Sequence, residues 1–221
     1  MNEVRILISG LRFPEGPTFD EDGCIWCAEQ EGGNLFCRDP EGQTLRVPTG
    51  GHPCGVVIRD GYLWFGDADQ RAIRRMHVKS KSIETVLTHI AGEPLLMPND
   101  LLFDQAGNLL FTCAGSPDQE RLGYVAVYSA THQAELIADG LHNPNGLLFH
   151  PDNQTLMIAE TCRQRIWQGY WDDKGFSWEN IHVWATTPDS AVQGDAFGPT
   201  GMTTGPDGYL YVALWGESLI R

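Results

Sequence analysis

A short phrase returns five times along the chain, and its spacing limits the folds open to it more than any other feature. Pro14-Glu15-Gly16 is echoed at Pro53-Cys54-Gly55, Pro98-Asn99-Asp100, Pro144-Asn145-Gly146 and Pro199-Thr200-Gly201, in steps of 39, 45, 46 and 55 residues. Each phrase is followed by an apolar stretch, a turn signal and an aromatic-rich run: PTFDEDGCIWCAE, VVIRDGYLWFGDA, LLFDQAGNLLFTCA, LLFHPDNQTLMIAE and MTTGPDGYLYVALW. The turn residues, such as Asp22-Gly23, Asp60-Gly61 and Asp207-Gly208, tolerate the positive φ of hairpins. A further strand pair follows in each of the first four units, as in NLFCRDPEGQTLRV and RIWQGYWDDKGFSWENIHVW. Units of about 40 to 50 residues with four short antiparallel strands predict an all-β fold, a β-propeller.

A length of 221 residues admits one or two domains, and the repeat assigns residues 1–221 to one propeller whose last blade is incomplete. The fifth unit ends at ESLIR with two or three strands. Either the ring closes with five blades, residues 4–9 (VRILIS) supplying the closing strand, or about four and a half blades of a six-bladed ring are present. An unpaired blade edge would invite self-association.

The 29 acidic against 15 basic residues give a formal charge of -14, which repels nucleic acid and anionic membranes. Glu3 and Arg5 interrupt the first apolar run, and no stretch approaches ~18 apolar residues, so the expected compartment is the cytoplasm. The six cysteines are scattered and read as reduced, mostly buried thiols. Cys24 and Cys27 form a C-x-x-C inside a strand, where alternation sends the two side chains to opposite faces.

In a propeller the innermost strand of every blade lines the axis, so one residue per repeat converges there. Glu15, Cys54, Asn99, Asn145 and Thr200 are therefore expected neighbours. Any one of these phrases alone reads as a turn. Together Glu15, Asn99 and Asn145 offer a carboxylate and two amides, the hard oxygen ligands of Ca²⁺ or Mg²⁺.

At these residues the chain resembles the SMP-30/gluconolactonase/luciferin-regenerating-enzyme-like family. The resemblance is carried by FPEGPTFDEDGCIWCAE, PNDLLFDQAGNLLFT, NPNGLLFHPDNQTLMIAETCRQRIW and GPTGMTTGPDGYLYVALWG, and covers almost the whole chain. It implies a six-bladed propeller carrying a divalent cation, Ca²⁺ foremost with Mg²⁺ or Zn²⁺ as alternatives. It further implies hydrolysis of a small lactone or related cyclic ester by a metal-activated water. Glu15 and Asn145 match the family's metal ligands, and Asn99 matches an asparagine near metal and substrate. Thr200 stands where the family carries a metal-binding aspartate implicated as base, and Met97 where it carries a substrate-contacting arginine.

A neutral threonine cannot accept a proton from water near neutral pH. Asp195 and Glu160 are the other candidate bases, and His142 a candidate substrate contact beside its anchor, as is His52. Asp67 and Asp69 read as a solvated turn. The chain lacks a G-x-S-x-G elbow, a P-loop and a dinucleotide fingerprint. Two functions follow: a metal-dependent lactonase acting on a small molecule, or a catalytically reduced propeller that binds a small ligand or a partner protein.

Overall fold

The computed structural model describes residues 6–116, 118, 120–187, 197–216 and 219–220, and each repeat in it is an antiparallel meander. The first sheet runs β1 (Pro14–Phe19), β2 (Ile25–Glu29), β3 (Asn34–Arg38), β4 (Thr44–Pro48). The second runs β5 (Pro53–Arg59), β6 (Tyr62–Asp67), β7 (Ala72–His77), β8 (Ile83–Leu87). A two-stranded hairpin, β9 (His89–Ile90) and β10 (Glu93–Pro94), is inserted before the third repeat. The third sheet is β11 (Pro98–Phe103), β12 (Leu109–Cys113), β13 (Gly123–Tyr128), β14 (Ala134–Leu141). The fourth is β15 (Pro144–Phe149), β16 (Thr155–Glu160), β17 (Arg165–Asp172), β18 (Ser177–Thr186). The fifth shows three strands, β19 (Gly198–Thr204), β20 (Leu210–Trp215) and β21 (Leu219–Ile220). The strands β1, β5, β11, β15 and β19 pack one against the next in that order, so the anchors open the innermost strand of every blade.

These innermost strands share one irregularity. Pro53 pairs with Asp67 and Val56 with Phe65, so three steps on β5 oppose two on β6. The same extra residue follows Pro98, Pro144 and Pro199, and follows Glu15 in β1. Such a bulge re-aims side chains and locally interrupts the ladder. The recurrent proline suits this place, because it cannot donate to a ladder and is tolerated at a strand start or a bulge.

The hydrophobic core is divided among the gaps between blades. Trp26 and Leu35 of the first blade meet Val56, Phe65 and Met76 of the second. Ile73 meets Leu101, Phe111 and Ala126 between the second and third. Leu110 and Val127 meet Leu147, Ile158 and Trp171 between the third and fourth. Met157 and Ile166 meet Val212 and Leu214 between the fourth and fifth. A second strand lies between two neighbouring blades, which is why all five residues of β12 are buried, all but Thr112 apolar, rather than alternating.

Three second strands end in a buried acid. Glu29 accepts bonds from Arg46 Nε at 2.6 Å and the Arg12 amide at 3.2 Å. Asp67 accepts from Arg74 Nη1 at 2.8 Å and the His52 amide at 2.9 Å. Glu160 accepts from Arg165 Nε at 2.6 Å, the Trp167 indole at 2.7 Å and the His142 amide at 2.8 Å. Each acid thus ties the loop ahead of an anchor to an arginine of its own blade. Asp67 is therefore an inaccessible strut rather than a member of a solvated turn, whereas Asp69 is exposed.

Residues 6–9 form no strand, and Ile6 and Leu7 are exposed, so the described part of the expected closing segment does not join the fifth sheet; residues 4 and 5 lie outside the described residues. Cys27, Cys37, Cys54 and Cys113 are buried thiols.

Removing one partner of a buried ion pair is costly because the other is left unpaired. Glu160→Ala is expected to lower the free energy of unfolding by about 2–4 kcal/mol in denaturant titration, against less than about 0.5 kcal/mol for exposed Asp69→Ala.

Candidate functional site

The convergence expected from the repeat is seen at the level of backbone contacts. The first and second blades meet where Gln30 Nε2 donates to Cys54 Sγ at 3.2 Å. A Cβ on Gly55 would lie 2.6 Å from Asp100 Oδ1, so the second and third phrases touch directly. Asp100 Oδ2 then accepts from the Leu147 amide at 2.8 Å, and Thr112 Oγ1 donates to the Asn145 carbonyl at 2.9 Å, joining the third blade to the fourth. A Cβ on Gly146 would lie 2.1 Å from the Thr200 carbonyl oxygen, and Thr161 Oγ1 donates to the Pro199 carbonyl at 2.8 Å, joining the fourth to the fifth. The five phrases form one continuous arc.

Backbone strain gathers at the same end. Phe13, Met97 and Asn143, each immediately before an anchor proline, have φ of 55°, 53° and 56°. Left-handed geometry is uncommon for non-glycine residues, and it persists only where neighbours over-determine it. Here the Met97 carbonyl accepts from Ala114 and the Asn143 carbonyl from Thr161, pinning both turns to the following strand end.

Glu15, Asn99 and Asn145 are half-buried on this arc. Among the described residues, none of their side chains has a hydrogen-bond or ion-pair partner. Burial first, and the charge of Asp100 second, push the Glu15 pKa up to about 7. Asp100, also half-buried, is pushed up to about 6 by burial, against the opposing bonds from the Leu147 and Leu101 amides. Asp100 is thus near enough for its charge to disfavour ionisation of Glu15. Groups of three or more His, Cys, Asp or Glu side chains that could hold a metal are absent among the described residues.

Asp100 did not emerge from the sequence. The signal was present: in the other four echoes the residue at its position is glycine, and an acid there is the anomaly. Thr200 lies on the arc, but its hydroxyl donates to the Ala213 carbonyl at 3.2 Å. Glu160 is fully buried with both oxygens engaged; burial alone would raise its pKa, yet the bonds from Arg165, His142 and Trp167 hold it below the usual range. It is a strut within its blade, fully buried and ion-paired with Arg165. Asp195 lies outside the described residues. His142 is half-buried, and Arg163 Nη2 lies 3.1 Å from its Nε2. Met97 exposes 37% of its surface.

Comparison with known proteins agrees with this architecture. The chain is 24% identical over 240 residues to a gluconolactonase of Zymomonas mobilis, covering 96% of the chain and 67% of that protein. It is 27% identical over 238 residues to the diisopropyl-fluorophosphatase of Loligo vulgaris, covering 94% and 73%. In fold it is similar to the crystal structure of a calcium-binding protein, regucalcin, from Agrobacterium tumefaciens, with a TM-score of 0.80, 18% identity and coverage of 98% and 72%. The model of the SMP-30/Gluconolactonase/LRE-like region matches residues 13–221, a span that holds all five anchor phrases and every described donor of the arc, and the chain therefore belongs to that family.

Proposed function

We propose that the chain hydrolyses a small lactone or related cyclic ester at the axial end of its blades, with a divalent cation, Ca²⁺ foremost, held by Glu15, Asn99, Asn145 and Asp100. One observation carries this reading. Burial, with the charge of nearby Asp100, raises the Glu15 pKa, burial raises that of Asp100, and among the described residues neither acid has a cationic partner and the Asn99 and Asn145 amides have none of any kind. Oxygen donors of this kind suit Ca²⁺ or Mg²⁺ better than Zn²⁺, which favours nitrogen and sulfur. The similarity to a gluconolactonase supports the substrate class.

A cation bound there would polarise the lactone carbonyl and acidify the attacking water. The rest is the work of the chain. Glu15 and the two asparagines, carried by the bulged strand starts, are the proposed groups that orient the acyl group. Asp100, whose two oxygens accept bonds only from the backbone amides of Leu101 and Leu147, is the proposed acceptor of the water proton as the new C–O bond forms. The same proton returns to the ring oxygen as the ester C–O bond breaks, leaving a hydroxy acid. Met97 offers an apolar wall, and His142 with Arg163 offers donors for substrate hydroxyls.

A second reading, a propeller that binds without turnover, is favoured by the engagement of the Thr200 hydroxyl with Ala213. Titration with Ca²⁺ and hydrolysis of D-glucono-1,5-lactone separate the two. Glu15→Gln and Asp100→Asn are each expected to weaken Ca²⁺ binding tenfold or more, at least about 1.4 kcal/mol, and to abolish hydrolysis. Thr200→Asp is expected to tighten binding and raise the rate by adding a carboxylate. Calcium binding without turnover would select the second reading, and no calcium binding in any variant would defeat both.

The raised pKa values also set a pH dependence. The folded chain holds these two protons more tightly than the unfolded chain, so their contribution to stability falls as pH rises from the ordinary values of 3.8 and 4.5 through about 6 and 7. Calcium binding requires the deprotonated forms, so the rise in melting temperature on adding Ca²⁺ is expected to grow across that interval and to vanish in Glu15→Gln.

A further inference from the structure

The innermost strands place a second cleft at the far end of the fourth and fifth blades. It measures about 420 Å³, within the roughly 300–1,000 Å³ typical of small-molecule sites. Leu148 at the end of β15, Met157 of β16 and Leu210 of β20 form its floor. Its walls are Trp184 of β18 and Tyr209 of the β19–β20 turn, which expose 49% and 71% of their surfaces. His150 on its rim is separated from Asn145 by the length of β15, roughly 15 Å at about 3.3 Å per residue. The cleft is therefore separate from the axial arc.

We infer that this cleft binds a neutral polyhydroxylated ring, a sugar in the pyranose form, independently of the chemistry proposed at the axis. The lining is consistent on three counts. First, large aromatic surface exposed to water on both sides of a cavity is unusual unless a ligand covers it, and flat rings suit the C–H faces of a pyranose. Second, the lining holds no lysine or arginine, and both oxygens of its one carboxylate, Asp152, accept bonds within their own turn, from the Gln154 and Thr155 amides and the Thr155 hydroxyl. An anionic ligand would find no cationic Lys or Arg partner there, and the carboxylate is already engaged. Third, the Gln168 amide and the Thr204 hydroxyl line the cleft without a hydrogen-bond partner among the described residues. Between them they offer both donors and acceptors, as alternating sugar hydroxyls require.

The test is saturation-transfer NMR on the full chain with methyl β-D-glucopyranoside, which carries no lactone bond, and benzyl alcohol as an aromatic, hydroxyl-poor control. The glycoside is expected to bind in the millimolar range with the strongest transfer to its ring C–H protons. Trp184→Ala and Tyr209→Ala should each weaken it about tenfold, equivalent to about 1.4 kcal/mol. Gln168→Leu keeps the aromatic walls and should weaken it too, while Glu15→Gln should leave it unchanged. Melting curves for each variant are expected to match the parent, since all three positions face solvent or the cleft. Four results would overturn the inference: no transfer to the glycoside, transfer that survives loss of both aromatic residues, loss of transfer in Glu15→Gln, or tighter binding of benzyl alcohol than of the glycoside. Glycoside binding that is weakened by Trp184→Ala and Tyr209→Ala but unchanged in Glu15→Gln separates this site from the axial reading, whichever way that reading falls.

Discussion

One extra residue at the same point of every innermost strand governs the rest of the molecule. Without it, the side chain after each anchor proline would follow the pleat, and alternate positions would face the neighbouring blades. With it, the ladder skips a step and the phrase turns towards the axis, as the shared irregularity after Pro53, Pro98, Pro144 and Pro199 shows. A bulge left alone would fray. The buried carboxylates of Glu29, Asp67 and Glu160 hold three of these corners by bonding the amide just ahead of the anchor and an arginine of the same sheet.

The chain uses one chemical group in two opposite ways. Glu160 and Glu29 are carboxylates with guanidinium partners, and both are held below the usual carboxylate range although burial works the other way. Glu15 and Asp100 are carboxylates without such a partner among the described residues, and burial pushes both above it. The difference is the presence of a cationic side chain. Acids of the first kind rigidify a scaffold; acids of the second kind ionise only against the cost of burial.

The scaffold was legible because the repeat expresses it directly. Four-strand units, their turns and the placement of Glu15, Asn99, Asn145 and Thr200 on one arc follow from spacing alone. Where the reading stopped, the cause was the third dimension. Glu160 and Asp67 sit at strand ends, and nothing in LMIAE or FGDADQ shows that an arginine across the sheet will meet them. Residues 4–9 have the composition of a strand, but strand formation needs a free edge at the right place, and the described part of that segment has none beside it. Asp100 was hidden by a habit of alignment, because the eye matches Asn99 to the anchor register and passes over the acid that replaces a glycine.

At Gly55 and Gly146 the main chain of one blade rests on the main chain of the next, with no room for even a methyl group. The bore of the axis is therefore gauged by backbone thickness, which evolution cannot adjust in small increments. Donor side chains around it can be exchanged one at a time, aspartate for threonine or glycine for aspartate, while the gauge stays constant. Descent within such a ring alters the charge presented to a ligand far more readily than the width of the opening through which the ligand arrives.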